Sequence, residues 1–195
     1  TGAEADSTVT VNSSTDGELG TVTANGSGEW TFTPGADLSE GDHEITVTSE
    51  DDAGNVSTAS DALTVTIDTT APAAPGTPDM ASGSDTGSSD SDDITKEPRP
   101  TFTGTAEAGT SVEIFYGSTT SLGTDDSDGT WSVAGGSDIP EGAQSITAKA
   151  TDAAGNVSDA SAALGITIDK TPPTIAIGAP SPGTAGAGPV TYTIT

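Results

Sequence analysis

Short runs of alternating apolar and polar residues recur along the chain. Val9-Thr10-Val11, Glu44-Ile45-Thr46-Val47-Thr48 and Leu63-Thr64-Val65-Thr66-Ile67 are the early ones. Val112-Glu113-Ile114-Phe115, Ser145-Ile146-Thr147-Ala148-Lys149-Ala150 and Leu164-Gly165-Ile166-Thr167-Ile168 follow further on. Alternation places the apolar residues on one face of an extended backbone, as half-buried β-strands do. Thr and Val dominate these runs, and β-branched side chains suit a pleated surface. No window carries the 3.6-residue period of an amphipathic helix. Gly, Asn, Asp and Ser clusters punctuate the runs at a spacing of about 8–12 residues, which suits a two-sheet sandwich. The pattern therefore predicts an all-β chain of short strands with Greek-key connections, about seven per hundred residues. Pro98 and Pro100 fall in the predicted first strand of the later set, which would have to be a sheet edge.

The strand pattern repeats because the sequence does. A shift of 101 maps Trp30 onto Trp131, Ile45-Thr46 onto Ile146-Thr147 and Thr66-Ile67-Asp68 onto Thr167-Ile168-Asp169. It also maps Ala53-Gly54-Asn55-Val56-Ser57 onto Ala154-Gly155-Asn156-Val157-Ser158. Upstream, Ala3-Glu4-Ala5 matches Ala106-Glu107-Ala108 at a shift of 103, so two residues are inserted before the first Trp. Copies of about 100 residues are large enough to be domains rather than solenoid repeats. The expected organisation is residues 1–68 as a unit lacking its opening strand, 69–169 as a complete unit, and 170–195 as the start of a third. With no initiating Met and no signal peptide, the chain reads as a piece of a longer protein. Trp30 and Trp131 each open a short apolar run after a Gly-rich turn, and each is expected to anchor a lean core.

Composition narrows the function classes. Leu, Ile, Val and Phe make up 29 of 195 residues, and the formal net charge is −26. Such a composition is that of disordered chains. The strand pattern confines that warning to the joints between units. Four cations (Lys96, Arg99, Lys149, Lys170) are too few for the phosphate-neutralising surface of a nucleic-acid binder. No stretch approaches the ~18 apolar residues of a membrane span, and the absence of Cys removes thiol chemistry and disulfides. His43, the only histidine, maps onto Gln144 in the second copy and is expected to be a surface strand residue rather than a catalytic base. Gly135-Gly136 precedes no helix, so a phosphate cradle has no support.

Three segments carry a family likeness. Thr151-Asp152-Ala153-Ala154-Gly155-Asn156-Val157-Ser158, the joint Ile168-Asp169-Lys170-Thr171-Pro172-Pro173, and Thr101-Phe102-Thr103-Gly104-Thr105-Ala106-Glu107-Ala108-Gly109 resemble bacterial Ig-like repeats. These repeats build the stalks of giant secreted adhesins of the biofilm-associated and RTX kinds. The resemblance covers residues 1 to about 173. It implies tandem Ig-like β-sandwich domains, export to the bacterial cell surface, neighbouring repeats as partners, and calcium-stiffened joints. A host or matrix receptor would belong to another part of such a protein. No Gly-Gly-x-Gly-x-Asp nonapeptide of the RTX type is present. Beyond residue 174 the likeness fades, and Val190-Thr191-Tyr192-Thr193-Ile194 is expected to be a strand.

The acidic residues are unevenly placed. Asp79, Asp85, Asp90, Asp92 and Asp93 fall within 15 residues that contain no cation. In an Ig-like topology, Asp68, the Asp85–Asp93 loop and Asp152 are expected to converge at one joint. The candidate ligand set for Ca²⁺ is thus Asp68, Asp85, Asp90, Asp92, Asp93 and Asp152. Ca²⁺ accepts six to eight oxygens in flexible geometry, whereas Mg²⁺ keeps more of its water. A solvated acidic linker is the plainer alternative, and Asp51 and Asp152 equally suit Asx-turns. Asp125-Asp126-Ser127-Asp128-Gly129 lacks the later Glu of an EF-hand and reads as a turn. Two other functions stay open: a glycan- or protein-binding module using Phe115, Tyr116 or Tyr192, and an accessory domain of a secreted polysaccharide-degrading enzyme.

Overall fold

The computed structural model describes residues 2–117 and 119–175. Among the described residues all regular structure is β, in twelve strands. The first unit holds β1 (Thr8–Ser13), β2 (Gly17–Thr23), β3 (Gly41–Glu50) and β4 (Leu63–Ile67), paired antiparallel in the order β2-β1-β3-β4. The second unit opens with β5 (Asp79–Met80), β6 (Ile94–Thr95) and β7 (Thr101–Thr105). It continues with β8 (Ser111–Tyr116), β9 (Thr120–Asp126), β10 (Thr130–Ala134), β11 (Gly142–Thr151) and β12 (Leu164–Ile168). These eight form two sheets, β10-β7-β5 against β6-β12-β11-β8-β9. The chain crosses between sheets from β5 to β6, β6 to β7, β7 to β8, β9 to β10 and β10 to β11.

The second unit is a closed sandwich. Phe102, Val112, Ile114, Ile139, Ile146 and Ile168 are wholly enclosed between its sheets, with Trp131 and Val133 beside them. Trp131 pairs across the ladder with Gly104. A Cβ there would lie 2.3 Å from the indole, so only glycine lets the ring lie flat on β7.

The first unit, expected to lack its opening strand, holds four strands among the described residues. Its single sheet has no facing partner among the described residues. The counterpart of β10, around Trp30 and Phe32, is not a strand. Burial follows suit. Ile45, Val47, Val65 and Ile67 are half-exposed, whereas their equivalents Ile146, Ala148, Ile166 and Ile168 are buried. Trp131 is a core residue as expected, but Trp30 is only half-buried.

Two further expectations need correction. Pro98 and Pro100 lie outside the strands, and β7, which starts just after them, is central in its sheet rather than at an edge. Their carbonyls accept from Ile139 N at 2.8 Å and Gly135 N at 3.1 Å, so the missing N–H breaks no ladder. His43 is not on the surface; it is fully buried. It shares a strand face with Ile45 and Val47, and strand parity therefore turns it inward. Its Nε2 donates to the Ser39 carbonyl at 2.8 Å, which leaves Nδ1 to accept from Ser13 Oγ at 2.7 Å.

Candidate interdomain joint

The joint is built on a hairpin that both units share. After β11 the chain turns at Asp152, whose Oδ1 accepts from Ala154 N at 2.9 Å and Asn156 N at 2.8 Å. Oδ2 accepts from Asn156 Nδ2 at 2.9 Å. Asp51 and Asn55 close the first unit's turn with the same bonds. The Asx-turn reading of both Asp residues is therefore how they are used. The Asn55 side chain, then its backbone N–H, hold the Asp51 carboxyl below the usual range. At Asp152 burial pushes upward, and the bonds from Asn156 outweigh it.

Beyond each turn the chain runs back along β3 or β11 without forming a ladder. Serine hydroxyls stand in for backbone acceptors: Ser158 Oγ accepts from Ala150 N at 2.9 Å and Ser161 Oγ from Ala148 N at 3.0 Å. Ser57 and Ser60 do the same for Ser49 and Val47. Side-chain acceptors of this kind compete with strand pairing, which is why these segments are irregular yet fixed.

The first unit's exit is tied to this hairpin. Asn156 Nδ2 also donates to the Asp68 carbonyl at 3.0 Å, so one amide bridges the two units. The linker is held from behind as well: Glu40 Oε2 accepts from Thr69 N at 3.0 Å and its Oε1 from Thr70 Oγ1 at 3.1 Å. Asp68 Oδ1 accepts from Thr70 N at 3.0 Å. A shift of 101 reproduces this clamp at the next exit, where Glu141 takes the Thr171 hydroxyl and Asp169 Oδ1 takes Thr171 N at 3.1 Å. The clamping glutamates were not singled out from the sequence. The Glu-Gly pair repeated ahead of β3 and β11 was the available signal.

The expected convergence of all six aspartates does not occur. Asp68 and Asp152 meet through Asn156, but the acidic loop lies at the other end of the second unit. The loop follows β5 rather than preceding it, so the chain has already descended the sandwich. Its end is fixed there by Thr167 N donating to the Asp93 carbonyl at 2.8 Å. In register terms this is the Gly142 end of β11, whereas Asp152 follows the strand's far end. A ten-residue strand separates them by roughly 30 Å. Asp90 and Asp92 are exposed on the loop, and Asp85 is buried inside it. Asp125-Asp126-Ser127-Asp128-Gly129 forms the β9–β10 turn, as expected.

The donor set is all oxygen, which suits Ca²⁺ chemically. No group of three acidic or His side chains forms a preformed cage among the described residues. Phe115 and Tyr116 are half-buried, and Tyr192 and the expected strand at Val190–Ile194 lie outside the described residues.

The bacterial Ig-like domain family matches this chain twice in tandem, over residues 1–69 and 71–170. The chain belongs to the bacterial Ig-like domain family. No curated protein matches it. Among solved structures it is similar to the BSP domain of a biofilm-associated protein, at 20% identity and TM-score 0.35, over 87% of this chain and 26% of that one. It is also similar to a Ca²⁺-stabilized adhesin that helps an Antarctic bacterium bind ice, at 26% identity and TM-score 0.44, over 88% of this chain and 42% of that one. Fibronectin(III)-like modules of Clostridium thermocellum CbhA are similar at 14% identity and TM-score 0.44, over 85% of this chain and 79% of theirs. The chain thus spans about a quarter of the first of these structures and less than half of the second. As tandem Ig-like units, its two copies have each other as immediate neighbours.

Proposed function

We propose that this chain is a stalk segment of a bacterial cell-surface adhesin: a non-catalytic spacer, exported, supporting adhesion or biofilm formation. The observation that carries this reading is the repeated clamp. Each unit binds its own exit linker through an equivalent Glu, Asp and Thr (Glu40, Asp68 and Thr70; Glu141, Asp169 and Thr171), and at the first exit the second unit's Asn156 holds the linker from the other side. A clamp repeated at both described exits serves spacing and orientation, and a tandem array needs both.

Calcium belongs to this reading as the stiffening agent. At the joint, the Asn156 amide donates both to the Asp68 backbone carbonyl and to the Asp152 carboxylate, while Glu107 Oε2 accepts from Ala73 N at 3.3 Å nearby. Like charges closer than the Debye length of about 8–10 Å repel. A divalent cation between them relieves that repulsion and stabilises the ordered joint by mass action. The experiment is small-angle scattering and thermal melting of the chain with calcium and with chelator. Calcium is expected to narrow the distance distribution and raise the melting temperature, and superimposable curves would remove it from the function.

A further inference from the structure

His43 lies near the start of β3, fully enclosed at the exit end of the first unit. The groups around it are fully committed. Ser13 Oγ accepts from Thr15 N and Asp16 N, each at 3.2 Å, so its own hydrogen goes to His43 Nδ1. A hydroxyl has one hydrogen and two acceptor lone pairs, and here all three are used. On the other side of the ring, Nε2 donates to the Ser39 carbonyl. These bonds describe a neutral ring with its hydrogen on Nε2. The charged group facing it is Asp16, from the β1–β2 turn, whose Oδ2 lies 3.5 Å from Nδ1. Its partner on β4 is Val65, and β1 presents Ser13, so neither strand adds charge. Asp42 and Glu44 flank it along β3 and alternate to the other face. The segment before β3 presents the Ser39 carbonyl, while Asp37 and Glu40 on that segment are exposed.

Asp16 is engaged elsewhere. Its Oδ1 accepts from Ser39 Oγ at 2.7 Å and its Oδ2 from Ser39 N at 3.0 Å. The hydroxyl bond, then the N–H bond, hold its carboxyl below the usual range. Ser39 is thereby pinned at its N–H, its hydroxyl and its carbonyl. The next residue is Glu40, which grips the linker at Thr69 N and Thr70 Oγ1. Ser39 is therefore the footing of the first exit clamp. The second unit is footed differently. Pro140 stands in place of Ser39 and Gln144 in place of His43, and Gln144 Nε2 donates to the Pro140 carbonyl at 3.3 Å. An amide makes the bond of a neutral imidazole but does not take up a proton near neutral pH. Of the two exits, the first alone rests on an imidazole.

We propose that His43 is an acid-sensitive catch beneath the first exit clamp: a proton on Nδ1 draws Asp16 away from Ser39 and loosens the hold of Glu40 on the linker. Ser13 offers that proton no acceptor, because its hydroxyl already points a hydrogen at Nδ1. A buried charge needs a partner, and Asp16 Oδ2 is the carboxylate within reach. Closing 3.5 Å to the ~2.7–2.9 Å of a charge-assisted bond pulls Oδ2 off Ser39 N. Imidazole changes charge between about pH 5 and 8. In that range Asp16 and Glu40 stay ionised, the latter held low by the Thr69 hydroxyl and then by Thr69 N. The joint is thus firm at neutral pH and compliant in mild acid. This inference rests on the spacer reading and names a regulator of its clamp.

The test is amide hydrogen exchange by NMR on the full chain and its His43→Gln variant, from about pH 7.5 to about pH 5, corrected for the intrinsic pH dependence of exchange. Gln is the second unit's own residue at this place, so the variant keeps a donor for the Ser39 carbonyl. In the wild type, protection of Thr69 N–H is expected to fall at least fivefold as the pH drops, in step with titration of the His43 ring resonances. In His43→Gln it is expected to change less than twofold. An equal fall in the variant overturns the catch, since acid then acts through the carboxylates. Thr69 protection that is high and independent of pH in the wild type also overturns it and leaves the spacer standing. Thr69 unprotected even at neutral pH removes the clamp, and both readings with it. If His43→Gln fails to fold, Asp16→Asn decides: it has no charge to draw toward the ring, and an undiminished fall overturns the proposal.

Discussion

Gly104 and Trp131 set the tightest constraint in the core. The indole occupies the space where any other residue's Cβ would stand, 2.3 Å away. Gly104→Ala is therefore expected to destabilise the second unit by about 1–3 kcal/mol, as overpacking does, and urea unfolding followed by Trp fluorescence measures it. Trp30 has the same sequence context as Trp131 and is half-buried. His43 makes the complementary point. Comparison with Gln144 suggested a surface position, whereas counting parity from Ile45 turns the ring inward, where Ser13 and Ser39 satisfy both nitrogens.

At the scale of elements, the strands legible in the sequence were those with strict alternation: β1, β3, β4, β8, β11 and β12. The edge strands β2 and β9 were not. Each carries a glycine, Gly20 or Gly123, with φ of 141° and 146°, beside a shift in register against its neighbour. Such bulges break the period of two, and their glycines lower β-propensity. The short β5 and β6 have too few residues to show any period. The serine-backed segments after each hairpin give a sharper prediction. Ser161→Ala leaves the buried Ala148 N–H without an acceptor and is expected to cost about 1–3 kcal/mol. Its counterpart Ser60→Ala acts on an exposed bond and is expected to cost less. Urea midpoints, with amide exchange at Ala148 and Val47, compare the two directly.

For the whole molecule, the meeting of the first unit's exit with the second unit's hairpin was readable from the topology, and the place of the acidic loop was not. The topology brings the first unit's exit to the second unit's hairpin, where Asn156 links the Asp68 backbone carbonyl to the Asp152 carboxylate. The acidic loop was misplaced because charge spacing does not reveal which end of a sandwich a loop occupies. That depended on β5 being two residues long and on the chain changing sheets before β6. Asn156→Ala removes the amide that bridges the units while leaving the Glu40 clamp. It is expected to let the two units reorient more independently, visible as separate rotational correlation times in ¹⁵N relaxation; a single unchanged time would mean the clamp alone holds the joint. The parallel pairing of β6 with β12 matters once a chain of such units is put under tension. Pulling the entry and exit of the second unit apart loads these bonds in shear, so they share the force instead of opening one at a time. Between β5 and β6 the chain stores residues 81–93, roughly 40 Å of contour length when straightened. The Asp85–Asp93 bond keeps that length folded away, as a small reserve of extension that a sudden jerk would spend before the sandwich itself gave way.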